Sequence, residues 1–423
     1  MKKIAPLLAV LSLATACVYP FQPDFENENV LDDILVVDGN ILIGEVSTVR
    51  ISFMSNMWPK KVDPAAGLLA ETRASSPEKA TVWIVPEYAK DITAWAEDDG
   101  GKKYEAILDT ESLFATYAGS SYVPGLPYTI STEEAPAERS YRLCVQVKDQ
   151  LYTSDWVKPM APPVLKKVSF KSSKSDVTVC ATLDGGADAT GYVLLTFDET
   201  WRFHAERYPN YDYDPNTNSV SERVYPPWDR YWCWMSSDEG TQVPVDYTGM
   251  TSSSLKEYPI HHFSRYDNRN HQRYSIRVKA RTINKDTYLY LSHLEENSQA
   301  GGNLFSPNPG EVAGNLRCET DPERMVLGFV TVARSTSLRA FLDSRYLLSR
   351  VLSPYELAYP LQWGQGEENP GWPEYYRMGY MPVEPNELPD PDPNFGPFGW
   401  ASAPCYDCIA AGGTQEKPDF WDD

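Results

Sequence analysis

The first residue whose type and position specify a chemistry is Cys17. Two lysines precede an apolar run from Ile4 to Ala14, and small residues then lead to the cysteine. This order is that of a secretory signal peptide. A cysteine at the cleavage point indicates a bacterial lipoprotein signal, in which residues 1–16 are removed and Cys17 carries acyl chains such as palmitate. Ala14 stands where leucine is commonest in such signals, so the alternative is ordinary cleavage nearby, with Cys17 free or disulfide-bonded.

Six further cysteines could form disulfides after export. They are Cys144, Cys180, Cys233, Cys318, Cys405 and Cys408. An even number in an exported chain favours disulfides, but six cysteines allow 15 pairings. Cys405 and Cys408 form a C-x-x-C without a second such motif to complete a zinc site, so we expect a structural disulfide near the C-terminus. Cys144 and Cys180 lie in strand-like segments and could instead be buried thiols.

Two polar groupings have part of the pattern of a metal site. Asp212, Asp214 and Asn216 alternate like the start of a calcium-binding loop, but the glycine and the glutamate expected later in such a loop are replaced. A solvated acidic turn is the alternative. His261 and His262 are adjacent, so on a strand they would point to opposite faces and would not chelate one metal. We therefore expect no cofactor besides the covalent lipid, with calcium as a weak candidate.

Catalytic motifs are absent from the sequence. It contains no G-x-S-x-G, no H-E-x-x-H and no phosphate-binding loop. Three acidic pairs could serve glycoside hydrolysis if the fold placed two carboxyl groups across a sugar: Asp198/Glu199, Glu295/Glu296 and Glu367/Glu368. Spacing alone does not place them so. We expect a protein without enzymatic activity, and a secreted-side glycoside hydrolase is the alternative.

Aromatic side chains are the strongest candidates for binding. One group lies in a proline-rich segment and comprises Trp363, Trp372, Tyr375, Tyr376, Tyr380 and Trp400. Exposed Trp and Tyr bury much area at low entropic cost, so these residues are predicted to touch a ligand or a partner protein. A second group is expected to pack in a core and comprises Trp201, Trp228, Tyr231, Trp232 and Trp234.

Composition limits the partners. The formal net charge is −21, from 38 Lys and Arg against 59 Asp and Glu. Such a surface repels nucleic acid and anionic lipid headgroups, so neither is an expected partner. No second apolar segment approaches the length needed to span a bilayer. We therefore expect attachment to a membrane only through the lipid on Cys17.

The elements that must position these residues are predicted to be mainly β-strands. Alternating, β-branched segments bounded by turn residues occur at Ile34–Asn40, Val46–Phe53, Lys79–Pro86, Tyr104–Leu108, Tyr128–Ser131, Ser140–Lys148, Tyr152–Val157, Leu165–Ser172, Val177–Leu183, Gly191–Glu199, Tyr274–Thr282, Met325–Ala333 and Leu338–Leu342. A helix is predicted over Asn284–Ser298, with Asn284 or Asp286 as its N-cap.

These elements suggest two domains after a lipidated tether at residues 17–29. Residues 30–160 are predicted to form an Ig-like antiparallel β-sandwich, and prolines near residue 160 mark its end. Residues 164–423 are predicted to form a larger β-rich domain with one or two short helices. Its segment 353–404 lacks periodicity and is expected to be irregular, which is often a sign of function.

Several ordered segments resemble a known family. They are ILVVDGNI with STVRIS, YVLLTFDETW, the pair Cys233-Trp234, YSIRVKARTINKDTYLY, GGNLFSPNPGEVAGNLRCETDPERMVLGFVTVA and CYDCIAAGGTQEKPDFW. The likeness is to the Bacteroidota lipoproteins grouped as domain of unknown function 4249, and it covers nearly the whole mature chain. Segment 353–400 aligns least well.

The resemblance implies an outer-membrane lipoprotein that works beside a TonB-dependent receptor in ligand capture or uptake. It implies no catalytic residues, supports Cys17 as the lipidated residue, and suggests that Cys233, Cys405 and Cys408 matter to the fold. Acidic residues soon after Cys17 are similar to export signals of surface lipoproteins in this phylum, so the protein is expected to face the cell surface. An outer-membrane assembly factor is a further alternative.

Overall fold

The computed structural model is mainly β, as the sequence predicted. It describes residues 34–53, 68–74, 80–85, 90–110, 125–185, 190–223, 228–237, 241–249, 254–270, 272–300, 314–343, 371–385 and 398–422. The predicted signal peptide and tether, Cys17, Trp363 and the pair Glu367/Glu368 lie outside these residues. None of the helices in the described ranges is both long enough and apolar enough to cross a membrane.

The described strands, in chain order, are β1 (Leu35–Leu42), β2 (Val46–Phe53), β3 (Leu68–Ala74), β4 (Ala80–Val85), β5 (Ile92–Asp98), β6 (Lys103–Leu108), β7 (Leu126–Ser131), β8 (Tyr141–Val147), β9 (Gln150–Ser154), β10 (Val164–Ser172), β11 (Asp176–Asp184), β12 (Tyr192–His204), β13 (Tyr211–Asp214), β14 (Ser219–Glu222), β15 (Trp232–Ser237), β16 (Gln242–Asp246), β17 (Ser254–Ser264), β18 (Arg273–Thr282), β19 (Leu316–Cys318), β20 (Val326–Ala333), β21 (Ser335–Asp343), β22 (Met381–Pro385) and β23 (Phe398–Ala401). The described helices are α1 (Lys285–Ala300), α2 (Trp372–Arg377) and α3 (Ala403–Tyr406).

Nine strands form the first sheet, in the order β19-β9-β8-β5-β6-β7-β2-β1-β20. β1 pairs in parallel with β20 and antiparallel with β2. Buried and more exposed residues alternate along β5, so one face of the sheet supplies the core. Side chains from distant strands meet there, among them Leu35, Ile130, Leu143 and Val330. The sheet is curved and nearly closed.

Asn315 connects the two end strands of this sheet, β19 and β20. It immediately precedes β19, and its side-chain amide both donates to the carbonyl oxygen of Val330 and accepts from the backbone N–H of Val330, each at 2.8 Å. Its own carbonyl oxygen accepts from the N–H of Asp155, beside β9, at 3.0 Å. The Asn315 side chain therefore takes the place of a backbone partner for β20.

Gly328 allows β20 to lie against β1. Its φ is +110°, and a Cβ at this position would lie 1.8 Å from the carbonyl oxygen of Val37. An L side chain rarely adopts such a φ, and the close backbone of β1 leaves no room for one. Glycine is therefore required at the centre of the parallel pair.

Two smaller sheets pack face to face in the second half of the chain. One has the order β10-β11-β17, and the other has the order β15-β12-β18-β21 with β16 paired to β12. Their apolar faces form one core, with Val179 and Leu183 from the first and Val193, Leu195 and Ile276 from the second. This arrangement is a β-sandwich. The second half is thus β-rich, as predicted.

The chain crosses directly from the first sheet to the second at Arg334, the single residue between β20 and β21. Side chains also connect the first sheet to the sandwich at this point. Lys279 of β18 lies 3.2 Å from the Glu45 carboxylate, and Arg281 donates to the Asn40 side chain at 3.0 Å. Arg281 is only 6% exposed, so this junction is packed.

The boundary predicted near residue 160 falls between β9 and β10, where the chain first leaves the nine-stranded sheet. However, the same sheet also takes β19 and β20 from residues 316–333. The first sheet is therefore not built from residues 30–160 alone. Pairing in parallel over such a distance requires a long crossover, and local periodicity does not report it.

A third part, which we call the cap, comprises the hairpins β13–β14 and β22–β23 with helices α2 and α3. The first hairpin comes from the middle of the chain and the other elements come from its C-terminal end. Asn210, just before β13, donates its side-chain N–H to the carbonyl oxygen of Val383 in β22 at 3.3 Å. The predicted irregular segment 353–404 therefore contains regular structure within its described ranges.

The predicted helix is confirmed as α1. Asn284 caps it, because its side-chain oxygen accepts from the N–H of Thr287 at 2.8 Å. Tyr290 of α1 stacks on Phe329 with ring centroids 4.4 Å apart, and Tyr288 lies 5.0 Å from Tyr192. The helix therefore contacts both the first sheet, at Phe329, and the sandwich, at Tyr192.

Candidate functional site

The cap brings the described aromatic binding candidates together around Trp400. Its ring centroid lies 5.6 Å from that of Tyr375, 6.4 Å from Trp372 and 5.5 Å from Tyr213 of β13. We call the set of Tyr213, Trp372, Tyr375, Tyr376, Tyr380, Phe398 and Trp400 the aromatic platform. Because its rings come from three separate elements, the platform exists only when the cap is folded.

The platform has a buried layer and an exposed layer. Trp400 and Tyr375 are only 3% and 5% exposed, so they build the platform and do not present their rings to solvent. Tyr376, which lies 5.3 Å from Tyr213, is 44% exposed, and Met378 beside it is 48% exposed. Tyr376 is therefore the predicted binding residue best placed to touch a ligand or partner.

The turn of hairpin β13–β14 holds Tyr213 in place. The Asp214 carboxylate accepts from the backbone N–H of Asn216 at 2.9 Å and from the hydroxyl of Thr217 at 3.0 Å. The hydrogen bond from the Asn216 N–H, followed by that from the Thr217 hydroxyl, lowers the pKa of Asp214. Asn218, with a φ of +50°, accepts from the Tyr213 hydroxyl at 2.9 Å. The turn is thus of the Asx type.

Two of the three calcium candidates, Asp212 and Asp214, have partners within the protein. Asp214 is bonded to the turn itself, as described above, and Asp212 forms an ion pair with Arg223. In the parts of the chain that the structure describes, no group of three or more His, Cys, Asp or Glu side chains could hold a metal ion. The bonds of Asp214 are those of an acidic turn.

A disulfide fastens the cap to the sandwich. Cys233 of β15 is bonded to Cys408, which follows α3, with 5.7 Å between their Cα atoms. Arg230 pairs with Asp407 at 3.0 Å next to this bond. Backbone hydrogen bonds of 2.7 and 2.8 Å then join Trp234 to Thr414.

The C-x-x-C motif does not close on itself. A structural disulfide near the C-terminus was expected there, but Cys408 points into the sandwich core while Cys405 packs in the cap with Val383 and Ala401. Cys405 is therefore a buried thiol, as are Cys144, Cys180 and Cys318. Burial, together with a hydrogen bond to the Glu97 carboxylate, raises the pKa of the Cys144 thiol to about 12.

The residues of the middle aromatic group lie in three different places. Trp201 is 4% exposed and lies in the sandwich core, as expected. Trp228 packs in the cap and donates its indole N–H to the carbonyl oxygen of Tyr406 at 2.7 Å. Trp232 and Trp234 are half-buried and stack against Arg202.

The acidic pair Asp198/Glu199 does not have the geometry of a glycosidase. Successive side chains of β12 point to opposite faces. Asp198 therefore lies on the outer face, whereas Glu199 lies in the core, 3.2 Å from His261 and 3.3 Å from Arg269, and accepts from the Tyr274 hydroxyl. Two carboxyl groups on opposite faces of one sheet cannot flank the same glycosidic bond.

The other paired residues also have simple positions. His261 points inward, as its contact with Glu199 shows, and His262 is exposed on the opposite face, as predicted. Glu295 and Glu296 are exposed on α1. The carboxylate of Glu199 has a pKa below its ordinary value: burial alone would raise it, but hydrogen bonds from His261 and Tyr274 and the charge of Arg269 outweigh that effect.

Sequence reasoning missed the contribution of hairpin β13–β14 to the platform. Tyr211 and Tyr213 alternate in YDYD, and a turn-forming segment follows. This was the available signal for a hairpin with its tyrosines on one face. Tyr211 lies 5.0 Å from Phe398 of β23, another platform residue that was not predicted.

A family model described as "Domain of unknown function (DUF4249)" matches residues 18–339, about three quarters of the chain. The match includes hairpin β13–β14 and both sheets of the sandwich up to the middle of β21. The other elements of the cap follow the matched range. A search of curated proteins found no match.

Proposed function

Because the chain belongs to the family of domain of unknown function 4249, we propose that it is an outer-membrane lipoprotein that assists a TonB-dependent receptor. In this proposal Cys17 carries the lipid, the folded part faces the cell surface, and the protein helps its receptor to capture or take up a ligand. It acts by binding and not by catalysis. The family resemblance supports the proposed membrane location and class of partner.

The aromatic platform is the observation that best supports a binding role. Trp400 and Tyr375 are buried in one cluster with Tyr213, and the exposed ring of Tyr376 packs on Tyr213. The exposed Met378 lies beside Tyr376 in the chain. Aromatic and methionine side chains on a preorganised support are typical of the centre of a protein interface. The disulfide between Cys233 and Cys408 attaches this surface to the sandwich. We therefore assign receptor contact to the exposed layer.

The test is co-purification of the receptor with the tagged, full-length protein from detergent-solubilised membranes. We expect the double variant Tyr376→Ala/Met378→Ala to retain much less receptor, because loss of an interface centre costs about 2 kcal/mol or more, a roughly thirtyfold weaker Kd. The matched control is Tyr266→Ala, which removes a similarly exposed tyrosine (41%) in the turn after β17. Receptor recovery that is equal for all three proteins would contradict a role for the platform. Absence of any receptor from the wild-type eluate would contradict the proposed partnership itself.

A further inference from the structure

Cationic side chains are concentrated on the outer face of the five-stranded sheet. Along β18, Arg273, Arg277, Lys279 and Arg281 stand at every second or fourth position and therefore share one face. Arg202 of β12 and Arg339 of β21 lie beside them in register. We call these six residues the arginine face. It is notable because the whole chain has a formal net charge of −21.

One end of the arginine face is covered by the C-terminal residues. Arg273 donates to the carbonyl oxygen of Asp422 and lies 4.5 Å from the ring centroid of Phe341. The Arg339 guanidinium stacks on Phe420, 3.5 Å from its ring centroid. Arg339 thus marks the border of the covered end, and the more exposed part of the face begins at Arg277, directly opposite Arg339, and continues to Lys279 next to the junction with the first sheet.

At this more exposed part, positive charge exceeds negative charge. Arg277 and Arg339 share one carboxylate, that of Asp198, at 2.7 and 3.1 Å, and Lys279 pairs with Glu45 at 3.2 Å. In these ion pairs three cations share two carboxylates. Burial, together with the neighbouring Arg277 charge, holds the pKa of Arg339 below its ordinary value despite Asp198. The positive charge is thus incompletely neutralised.

Arg277 and Arg339 occupy directly opposite positions on neighbouring strands. Like charges in such positions destabilise a sheet, and departures from local rules of this kind are expected at functional sites. Arg339 is held by the Ser275 hydroxyl at 2.9 Å as well as by Asp198 and Phe420. The guanidinium is therefore oriented before any ligand arrives.

Arg277 has the donors that remain available. Its side chain is 44% exposed, and its Nε donates to Asp198 at 2.7 Å. Among the described residues, neither of its two terminal nitrogens has a hydrogen-bond partner. A guanidinium offers a planar pair of N–H groups that matches an oxyanion, and the shared Asp198 fixes its plane.

We propose that Arg277, with Lys279 and Arg339 beside it, binds the oxyanion group of a small ligand: a carboxylate, a phosphate or a sulfate. The site lies on the sandwich at its junction with the first sheet, and its chemistry differs from that of the aromatic platform. It does not depend on the proposed receptor partnership. An anion here would relieve the repulsion between Arg277 and Arg339, which Asp198 alone does not balance.

The test is isothermal titration calorimetry of the full-length protein with sodium acetate, sodium phosphate and sodium sulfate at constant ionic strength set by sodium chloride. We expect saturable binding of at least one anion, and the arm that binds identifies a planar carboxylate or a tetrahedral oxyanion. Arg277→Gln should weaken this binding at least tenfold. Arg277→Lys should retain part of it, because the charge remains but the paired N–H groups are lost.

The matched control is Arg317→Gln in β19. Arg317 is 50% exposed and also pairs with carboxylates, those of Asp155 and Glu319, but it lies on the first sheet. Equal weakening by Arg317→Gln and Arg277→Gln, or no saturable binding of any of the three anions, would overturn the proposal. Should Arg277→Gln not fold, protection of Arg277 from phenylglyoxal by the bound anion decides the question in the wild-type protein: protection supports the site, and unchanged modification rejects it.

Discussion

Glu199 illustrates at the residue scale how the sandwich accommodates a charge in its core. The carboxylate is 2% exposed, and three side chains from β17, β18 and the turn between them surround it: His261, Tyr274 and Arg269. The Arg269 guanidinium in turn lies over the Trp201 ring, 4.8 Å from its centroid. Removing one member of such a buried pair leaves the other charge without compensation.

We predict that Glu199→Gln lowers the free energy of unfolding by about 3 kcal/mol at pH 7, because Arg269 loses its buried partner and keeps only the more exposed Asp267. The folded-state pKa of Glu199 lies below the ordinary value of 4.5. Its stabilising contribution is therefore fully present above about pH 4.5 and is lost as the pH falls through the folded-state pKa. The difference between wild type and variant in urea denaturation should shrink accordingly.

The matched control for this prediction is Glu105→Gln, at an exposed position of β6. It should change the free energy of unfolding by less than about 0.5 kcal/mol at every pH. A wild-type advantage over Glu199→Gln that stays constant from pH 7 to pH 3 would show that the Glu199 charge is not the cause.

At the scale of secondary-structure elements, the position of β20 in the first sheet is fixed by its parallel pairing with β1. β20 lies against β1 along its whole length, from Leu35–Val326 to Leu42–Ala333. Asn315 supports the other side of β20 through Val330. With both sides bonded, β20 has little freedom to shift when a side chain is introduced at Gly328.

We predict that Gly328→Ala lowers the free energy of unfolding by about 3 kcal/mol or more, since strain in the backbone and a clash with β1 add. Gly101→Ala is the control: the φ of Gly101 is +84°, but its Cβ would meet nothing within 4 Å. It should cost about 1 kcal/mol. Guanidinium denaturation of both variants measures the difference, and equal costs would mean that the backbone of β1 moves aside.

At the scale of the whole molecule, the first sheet and the sandwich are each assembled from separate segments of the chain. The first sheet closes with β19 and β20, which follow nearly all of the sandwich strands in sequence. Val330, Val332 and Cys318 from these strands belong to the same core as residues 35–152. Neither body is therefore built from one continuous piece of the chain.

We predict that a fragment of residues 30–160 will not fold by itself, because it lacks the two end strands and leaves one side of β1 unpaired. Its amide resonances in a two-dimensional NMR spectrum should be poorly dispersed. The full-length protein provides the reference spectrum. Dispersed resonances and a cooperative thermal transition for the fragment would instead support residues 30–160 as an independent domain.

The sequence predicted local features of the fold better than contacts between distant segments. Alternation identified β2 and β18 nearly to the residue, and the cap at Asn284 followed from its side chain. The 13-residue β12 continues beyond the predicted Gly191–Glu199 to His204, through a segment of aromatic and charged residues that has no clear alternation. Local patterns report the period of a strand but not its partner.

Distant pairings were beyond local patterns for the same reason. The partner of Cys408 is 175 residues away, and six cysteines admit 15 pairings with no rule to choose among them. The C-terminal part of the aromatic platform was visible as an aromatic cluster, but Tyr213 was not predicted, because its contact with Trp400 depends on the fold of the cap. The arginine face was visible as an alternation in YSIRVKART, which was interpreted only as a strand.

The disulfide between Cys233 and Cys408 has a topological consequence. It closes a covalent ring that contains β16 to β23, including both the end strands of the first sheet and most of the cap. A protease that cuts one peptide bond anywhere inside this ring linearises it without separating the two pieces. The nicked protein would remain one covalent molecule, heavier by one water, until the disulfide is reduced.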